Sequence, residues 1–410
     1  MSLRPNRGAA SKPVPEGTLP DGQQPDDPAF DGTLPAEAVR RALSGVIDPE
    51  IRRPITELDM VGEISVTADG AAIVNLRLTI AGCPAADTIE RDVRAATAST
   101  PGVSRAEVRV TVMDRVQRNA LIARLRGNRP GVSAFGPDSL TRIYAVGSGK
   151  GGVGKSTVTA NLAVALASRG LAVGIVDADV FGFSIPGLLG IAGARPTRVG
   201  ELMLPPVAYG VKVISIGMFL PEAPAGDTSG RVVSWRGPML HRTMTQFLTD
   251  VYFGDLDVLL IDLPPGTGDI AISLGQLLPQ AEVIVVTTPQ AAAAEVAERS
   301  GLLARQTGQT VIGVVENMSG LVLSDGSVLE IFGRGGGADA AARLSTPDHP
   351  VPVLASIPLS VALREGGDTG IPIVLSDPGD PGAQALLALA HRLAVRPRGL
   401  SGRALGVSVL

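Results

Sequence analysis

The sequence of 410 residues contains a single cysteine, Cys83, which excludes an internal disulfide. Aromatic residues make up only 3%, so we expect the 45% hydrophobic content to build a core of valine, isoleucine, leucine and alanine. The formal net charge of −4 lacks the basic surplus of a general nucleic-acid-binding protein, and no nucleic-acid partner is predicted. No run approaches the roughly 20 apolar residues of a membrane-spanning helix, and residues 1–20 lack the apolar region of a signal peptide. We therefore expect a cytoplasmic protein with no membrane partner.

The chain divides into five stretches of different composition. Residues 1–34 are rich in Pro, Gly and Asp with few apolar anchors, which predicts a disordered tail. In residues 35–113, two helical patterns, two strands joined at Asp69-Gly70 and one more alternating strand predict a small α+β domain. Residues 114–139 contain a basic stretch able to form a helix, then Gly and Pro, and we interpret them as a linker. Residues 140–395 form the main domain, and residues 396–410 a second tail.

The main domain contains short, continuously apolar stretches rich in β-branched residues. LAVGIVDAD and DVLLIDLP are examples, and helical patterns separate several of these stretches. Continuously apolar strands alternating with helices are typical of a parallel sheet that is covered on both faces. We therefore predict the α/β class, with a mostly parallel sheet covered by helices, preceded by the small α+β domain.

The stretch GKGGVGKS, from Gly149 to Ser156, fits the pattern G-x-x-x-x-G-K-[ST] between a predicted strand and a predicted helix. Glycines let backbone N–H groups close around phosphate oxygens, and the helix N-terminus adds partial positive charge. Lys155 is expected to reach the β- and γ-phosphates of ATP, and the Ser156 hydroxyl to bind Mg²⁺. The sequence thus predicts a P-loop NTPase whose nucleotide-binding residues include Gly149, Lys150, Gly151, Gly152, Val153, Gly154, Lys155, Ser156 and Thr157.

Three carboxylates follow predicted strands. Asp262 ends the apolar strand of DVLLIDLPPGTGD, where a Walker-B carboxylate holds Mg²⁺. Asp177 and Asp179 lie at the carboxyl end of another strand, which is where open α/β sheets bind their ligands. Each of these two could be a helix cap, but beside the phosphate loop one of them is a plausible water-positioning base for hydrolysis.

The loop carries a second lysine, Lys150. Since Lys155 occupies the space beside the phosphates, Lys150 cannot easily fold back onto them, and a solvated loop lysine is one interpretation. GKGGVGKST, however, resembles the deviant Walker A motif of the MinD/ParA/nitrogenase-iron-protein superfamily. In that superfamily the early lysine reaches the partner's phosphates across a dimer interface, like an arginine finger supplied in trans. The resemblance implies a homodimer that closes on ATP, with catalytic roles for Lys150 and Lys155.

Longer blocks narrow the resemblance. The blocks VDADVFGFSIPGLLG, WRGPM, DLPPGTGD and VVENMSG are similar to those of Mrp/ApbC-type iron–sulfur carrier ATPases, over residues 141–395. The resemblance implies an ATPase that delivers iron–sulfur clusters to apoprotein clients. It also implies that Asp179 is the hydrolytic aspartate, that Asp177 lies near Mg²⁺ and that Asn317 contacts adenine. Without it, Asn317 would be a polar residue that caps a strand, and Trp235 is better interpreted as a core residue.

The small domain agrees with this branch. The Asp48-Pro49-Glu50 segment and LTIAGCPAADTI resemble the iron–sulfur-assembly domain often fused ahead of such ATPases, and Cys83 occupies its single cysteine position. Cys83 is thus a candidate iron–sulfur ligand as well as a candidate buried core residue. Since it precedes a predicted helix, we expect the helix N-terminus to lower the pKa of its thiol and favour the thiolate.

One feature departs from the family. Its members typically have a C-x-x-C pair after the NMS segment, whereas this chain has Leu321, Val322, Leu323, Ser324 and Asp325 there. A cluster usually needs four thiolates, and a dimer of this chain offers only Cys83 twice. The chain could carry a cluster transiently with ligands lent by a client or small thiol, act as a metal-free assembly adaptor, or serve another client.

Two other classes of function also use a P-loop. A MinD- or ParA-like positioning switch would need a basic membrane helix or a basic DNA-binding surface, and the C-terminal stretch AQALLALAHRLAVRPRG is only weakly basic. A small-molecule kinase would need an acceptor-binding lid, and none is recognisable. We therefore predict a Mg²⁺-dependent, homodimeric ATPase of iron–sulfur cluster assembly.

Overall fold

The computed structural model describes residues 33–126, 134–136, 139–180, 182–220, 237–323 and 325–395. The predicted tails therefore lie outside the described residues, except that the first helix already begins at Thr33. Trp235 and Ser324 lie outside them as well.

The small domain is a three-stranded sheet covered by helices. It begins with α1 (Thr33–Leu43), followed by the hairpin strands β1 (Val61–Val66) and β2 (Ala71–Leu78), and then α2 (Ala86–Ala98) and β3 (Arg105–Val112). β1 and β2 pair antiparallel, and the turn between them uses the positive φ of Gly70, as the Asp69-Gly70 signal predicted. β3 lies parallel to β2, so α2 is the crossover that connects them.

The stretch interpreted as a linker contains a helix, α3 (Arg115–Arg126). Leu121 of this helix is buried in the core of the small domain. The Arg124 guanidinium donates to an oxygen of Asp59 at 2.5 Å. One apolar face therefore holds α3 against the small domain, while two of its four arginines, Arg115 and Arg124, are exposed.

The large domain is built on one nine-stranded sheet and a separate short hairpin. Its strands are β4 (Arg142–Ser148), β5 (Val173–Asp177), β6 (Thr197–Val199), β7 (Leu202–Leu204), β8 (Val207–Ala208), β9 (Val211–Ser215), β10 (Val258–Asp262), β11 (Glu282–Thr287), β12 (Thr310–Val322), β13 (Val328–Leu329) and β14 (Val353–Leu359). The strand order is β13-β12-β11-β4-β10-β5-β9-β8, with β14 also paired to β12. Only the short strands β8 and β13 pair antiparallel in this sheet, which confirms the predicted mostly parallel α/β class.

Helices cover this sheet. They are α4 (Lys155–Ala167), α5 (Ile185–Leu188), α6 (Gly237–Thr249), α7 (Asp269–Leu277), α8 (Ala291–Gln306), α9 (Gly336–Leu344), α10 (Val361–Thr369), α11 (Ile373–Ser376) and α12 (Pro381–Ala394). α4 is buried along nearly its whole length, because the sheet lies on one side of it and α12 on the other. Among the described residues, no helix is long and apolar enough to cross a membrane.

Parallel pairing brings the strand ends of the large domain together. β10 lies between β4 and β5, and Asp262 is in register with Asp177 on one side and Val146 on the other. β4 then leads directly into the glycine-rich loop and α4. The loop and the two carboxylates therefore lie at the same edge of the sheet.

The two domains are packed against each other through the β6–β7 hairpin. Val199, Leu202 and Leu204 of this hairpin belong to the hydrophobic core of the small domain. The Thr197 hydroxyl donates to Glu50 at 2.5 Å, and the Arg52 guanidinium donates to the Gly210 carbonyl at 2.9 Å. Apolar and polar contacts together fix the small domain on the large one.

Candidate functional site

The glycine-rich loop follows β4 and ends where α4 begins. Gly154 caps α4 with φ +79°, a left-handed conformation that favours glycine. A Cβ at this position would also lie 2.2 Å from Nδ2 of Asn317, and a Cβ on Gly149 would lie 2.2 Å from the carbonyl carbon of Val296. The loop is thus pressed between α8 and β12, and only glycine fits at these two positions.

Lys155, the first residue of α4, lies among carboxylates. Its ammonium is 2.6 Å from Asp262 and 3.8 Å from Asp179. The Ser156 hydroxyl donates to the same Asp262 oxygen at 2.6 Å. Lys155 and Asp262 are almost fully buried. The structure thus brings together four residues that the sequence singled out separately.

Two hydroxyls that the sequence analysis missed support this cluster. Thr159 donates to the second oxygen of Asp262 at 2.8 Å, from a position three residues after Ser156 on α4. Ser215, the last residue of β9, donates to Asp177 at 2.9 Å. The helical spacing could have identified Thr159, whereas Ser215 depends on the pairing of β5 with β9 and has no local signal.

Asp177 and Asp179 occupy different positions in the site. Asp177 is fully buried, and burial together with the nearby charge of Asp262 raises the pKa of its carboxyl. Asp179 lines a cavity of about 610 Å³ that also contains the glycine-rich loop. Its carboxylate accepts a hydrogen bond from the backbone N–H of Gly182 at 3.0 Å. Asp179 therefore faces the space above the loop, while Asp177 lies beneath it.

The structure separates Lys150 from these carboxylates. Lys150 lines the same cavity, but its ammonium donates to the side-chain oxygen of Gln290 at 2.8 Å. Gln290 caps the N-terminal end of α8, and nothing in the local sequence pointed to it. Lys150 is thus held at the side of the cavity where α8 begins.

Asn317 lies within β12, which continues to Val322, so it does not cap the end of a strand. Its side-chain N–H donates to the Val153 carbonyl at 2.9 Å and thereby supports the glycine-rich loop. A second cavity of about 250 Å³ contains Asn317 and shares Gly154 and Thr157 with the larger one. The two cavities therefore adjoin at the start of α4.

The expected activation of Cys83 was wrong. The side chain lies in the core of the small domain and is 6% exposed, and its thiol donates to a carboxylate oxygen of Glu50 over 3.8 Å. Burial, with a further contribution from Glu50 and Asp48, raises the pKa of the thiol to about 11. α2 begins only at Ala86, and burial outweighs any effect of its N-terminus.

The oxygen groups at the loop fit Mg²⁺, which prefers hard oxygen ligands and uses few carboxylates with several waters. Asp177 and Asp262 are both buried and share one nearby lysine, Lys155, so a divalent cation would balance their charge. No group of three or more His, Cys, Asp or Glu side chains in the described part of the chain is arranged to hold a metal ion. Cys83 therefore has no neighbouring ligand set for a metal within those residues.

Comparison with known proteins gives two family matches. Residues 139–394 match the ParA family, described as NUBPL iron-transfer P-loop NTPase. Residues 36–110 match the iron–sulfur cluster assembly protein family. α3 lies between the two matched ranges.

Two curated relatives agree with these matches. An iron–sulfur cluster carrier protein of Mycobacterium tuberculosis (strain ATCC 25618 / H37Rv) is 55% identical over 380 residues, covering 92% of this chain and 97% of that protein. One from Synechocystis (strain PCC 6803) is 39% identical and covers 88% of this chain and 97% of that protein. A solved nucleotide-binding protein from Archaeoglobus fulgidus in complex with ADP is 36% identical, covers 56% of this chain and 86% of that chain, and gives a TM-score of 0.47.

Proposed function

The chain belongs to the ParA family of NUBPL-type iron-transfer P-loop NTPases, and we propose that it is a homodimeric ATPase that binds and delivers iron–sulfur clusters. The observation that carries the ATPase part is the contact of Lys155 with Asp262 and Asp179 at the glycine-rich loop. ATP hydrolysis supplies the energy for cluster delivery. We place the protein in the cytoplasm, where ATP is available.

The two adjoining cavities support the proposed binding of ATP. The larger one, of about 610 Å³, presents the loop backbone, Lys155 and Ser156 to the phosphates. The smaller one, of about 250 Å³, lies beside Asn317 and Leu363 and provides a partly apolar pocket for adenine. Asn317 both supports the loop and lines this pocket, so it links recognition of the base to the geometry of the phosphate site.

Ser156, Asp262 and Asp177 would hold the Mg²⁺ ion. An ion held by these residues would neutralise charge on the β- and γ-phosphates. Binding ATP requires Lys155 to exchange its carboxylate contacts for phosphate oxygens. Asp262 remains held by Ser156 and Thr159 in that exchange, since both hydroxyls donate to it.

Hydrolysis requires a water molecule aligned with the γ-phosphorus. Asp179 faces the cavity above the loop and can accept a hydrogen bond from such a water. The new bond forms between the water oxygen and the γ-phosphorus as the bond to the β–γ bridging oxygen breaks, and the proton that the water loses passes to Asp179 and from there to the released phosphate. Lys155 stabilises the negative charge that develops, because its ammonium lies at the base of the same cavity.

Dimerisation explains Lys150. The lysine lines the nucleotide cavity but is directed to Gln290, away from Asp262 and Asp179. We propose that in the ATP-bound dimer it leaves Gln290 and reaches the phosphates of the partner subunit. The γ-phosphate would then control how tightly the two subunits close, and hydrolysis would release them.

Cluster handling is constrained by the single cysteine. Two subunits supply two copies of Cys83, fewer than the four thiolates that a cluster usually needs. The thiol is buried and protonated where it packs against Glu50. We propose that the small domain must open before Cys83 can bind a cluster, and that the remaining ligands come from a client protein or a small thiol.

A second candidate is favoured by the same burial. A protein whose one thiol stays inside the core would act as an ATP-driven adaptor that brings assembly partners together without touching the metal.

Anaerobic reconstitution with iron, sulfide and glutathione separates the two candidates, with iron content and visible absorption as readouts. A cluster on wild type that is lost in Cys83→Ser supports the carrier. The absence of a cluster from both, while ATP hydrolysis persists, supports the adaptor. Cys83→Ala is the control for folding. If it also lacks the cluster but unfolds at the wild-type temperature, the cluster was lost because a ligand is missing and not because the fold is damaged.

A further inference from the structure

A cleft of about 520 Å³ lies at the junction of the two domains. The small domain contributes Arg52 and Arg53 to its walls, and the large domain contributes Lys212 and Tyr252. Lys212 lies near the start of β9, whose last residue contacts Asp177 at the nucleotide site. The cleft therefore lies at the opposite edge of the sheet from the glycine-rich loop, and the proposed ATPase reaction does not use it.

Lys212 is buried and forms no ion pair within the described residues, although Asp48 and Asp255 are close enough for their charges to act on it. Its side chain is 5% exposed, and its ammonium lies 4.9 Å from the centre of the Tyr252 ring. Within the described ranges, the Lys212 ammonium forms neither an ion pair nor a hydrogen bond. Burying an ammonium that has no such contact costs free energy of folding, unless an anion or another polar group binds beside it.

The surrounding charges make the cleft attractive to anions. Its lining carries three cationic side chains and one carboxylate, Asp255. Arg53 is paired with Glu57 at 2.8 Å, whereas Arg52 donates to the Gly210 carbonyl and makes no ion pair among the described residues. Burial, and then the charge of Arg52, lowers the pKa of Lys212 to about 8, although the charges of Asp48 and Asp255 oppose this shift. Arg52 of the small domain and Lys212 of the large one thus repel each other across the cleft, and the cations among its lining residues outnumber the one carboxylate.

The choice of lysine fits this interpretation. The sequence has four lysines, Lys12, Lys150, Lys155 and Lys212, and otherwise uses arginine for positive charge. A buried lysine can lose its proton, whereas an arginine cannot. A lysine is therefore suited to an enclosed site that holds an anion only part of the time. Arg52 complements it with a planar group suited to carboxylate or phosphate oxygens.

We propose that the cleft binds a small multivalent oxyanion, a molecule with carboxylate or phosphate groups, held by Lys212 and Arg52. A volume of about 520 Å³ is within the range of small-molecule sites. Because Lys212 and Arg52 come from different domains, the anion bridges them and replaces a repulsion by two attractions. It therefore stabilises the docked arrangement of the small domain, in which Cys83 is buried.

Isothermal titration calorimetry with citrate and with inorganic phosphate, at pH 7 and constant ionic strength, tests this site. Wild type is expected to bind at least one probe at one site per chain. Lys212→Met and Arg52→Gln should each weaken that binding by about tenfold or more, since each removes a charge-assisted contact. Arg299→Gln removes the same charge from an exposed position on α8 and should not change it. The stronger probe identifies the ligand as a carboxylate or a phosphate.

Three results would overturn the proposal. The first is no saturable binding of either probe to wild type. The second is binding that survives both Lys212→Met and Arg52→Gln. The third is binding that Lys155→Ala abolishes, since the probe would then occupy the nucleotide loop. ADP binding by Lys212→Met shows whether that variant is folded. If Lys212→Met does not fold, Arg52→Gln still tests the site, because Arg52 is exposed.

Discussion

Lys150 donates a hydrogen bond of 2.8 Å to Gln290, the residue that caps the start of α8. The second lysine of the loop is therefore held by its own subunit at the rim of the nucleotide cavity, away from the carboxylates that surround the first lysine. A residue in this position can be released to a partner subunit without disturbing Lys155.

Lys150→Ala should keep ADP affinity within about threefold and lose ATP-dependent dimerisation. Turnover should fall by about 1,000-fold or more, the lower end of the range for loss of an arginine finger. Size-exclusion chromatography with light scattering, with and without ATP, measures the first effect and phosphate release the second.

Gln290→Ala is the matched control for Lys150. It removes the other half of the same hydrogen bond and should leave dimerisation intact, because it only frees the lysine. If Gln290→Ala behaves like Lys150→Ala, the intrachain contact itself is the functional one and the trans role is wrong.

Lys155→Ala should abolish hydrolysis, with a loss of at least about 100-fold, and weaken ATP binding. The variant also leaves Asp262 without the cation 2.6 Å away, so the unliganded protein should become less stable. Phosphate release and thermal unfolding measure the two effects. Normal turnover in a folded variant would contradict the assignment of this loop to the phosphates.

Asp179→Asn should bind ATP with nearly wild-type affinity and hydrolyse it about 100- to 10,000-fold more slowly, the range for loss of a general base or water-positioning group. Its dimer should therefore persist in ATP longer than that of wild type. Single-turnover kinetics with a fluorescent ATP analogue measure both. Full turnover would move the role to another group lining the cavity.

The Cys83 thiol should react slowly with iodoacetamide at neutral pH. A pKa of about 11 in place of 9.0 leaves about 100-fold less thiolate at pH 7, and burial slows the reagent further. The rate should rise steadily from pH 7 toward pH 11, because deprotonation of the thiol is what limits it.

Glu50→Gln tests the cause of that pKa. Burial is the larger contribution and the Glu50 charge a smaller one, so the variant should react less than tenfold faster. Rapid alkylation of wild type at pH 7 would mean that the thiol is exposed in solution and that the small domain does not need to open.

Sequence reasoning succeeded where the determining pattern was local. The glycine-rich loop, the strand ending at Asp262 and the Asp69-Gly70 hairpin each depend on a few adjacent residues. It missed contacts between residues distant in the chain, such as Ser215 with Asp177 and Lys150 with Gln290. The error on Cys83 has the same origin, since a local helix N-terminus was weighed without the Glu50 carboxylate and the core that bury the thiol.

The position of β4 in the sheet has a consequence for biosynthesis. β4 delivers the glycine-rich loop, yet both of its neighbours, β10 and β11, come much later in the chain. The strands of the small domain, by contrast, are complete by Val112. On the ribosome, the small domain can therefore acquire its sheet first, while the nucleotide loop must wait until residue 287 has emerged. A nascent chain shorter than that lacks the strands that hold the loop in place, and the pocket beside Asn317 and Leu363 can form only later. ATP can therefore report only on a chain whose large domain is nearly complete.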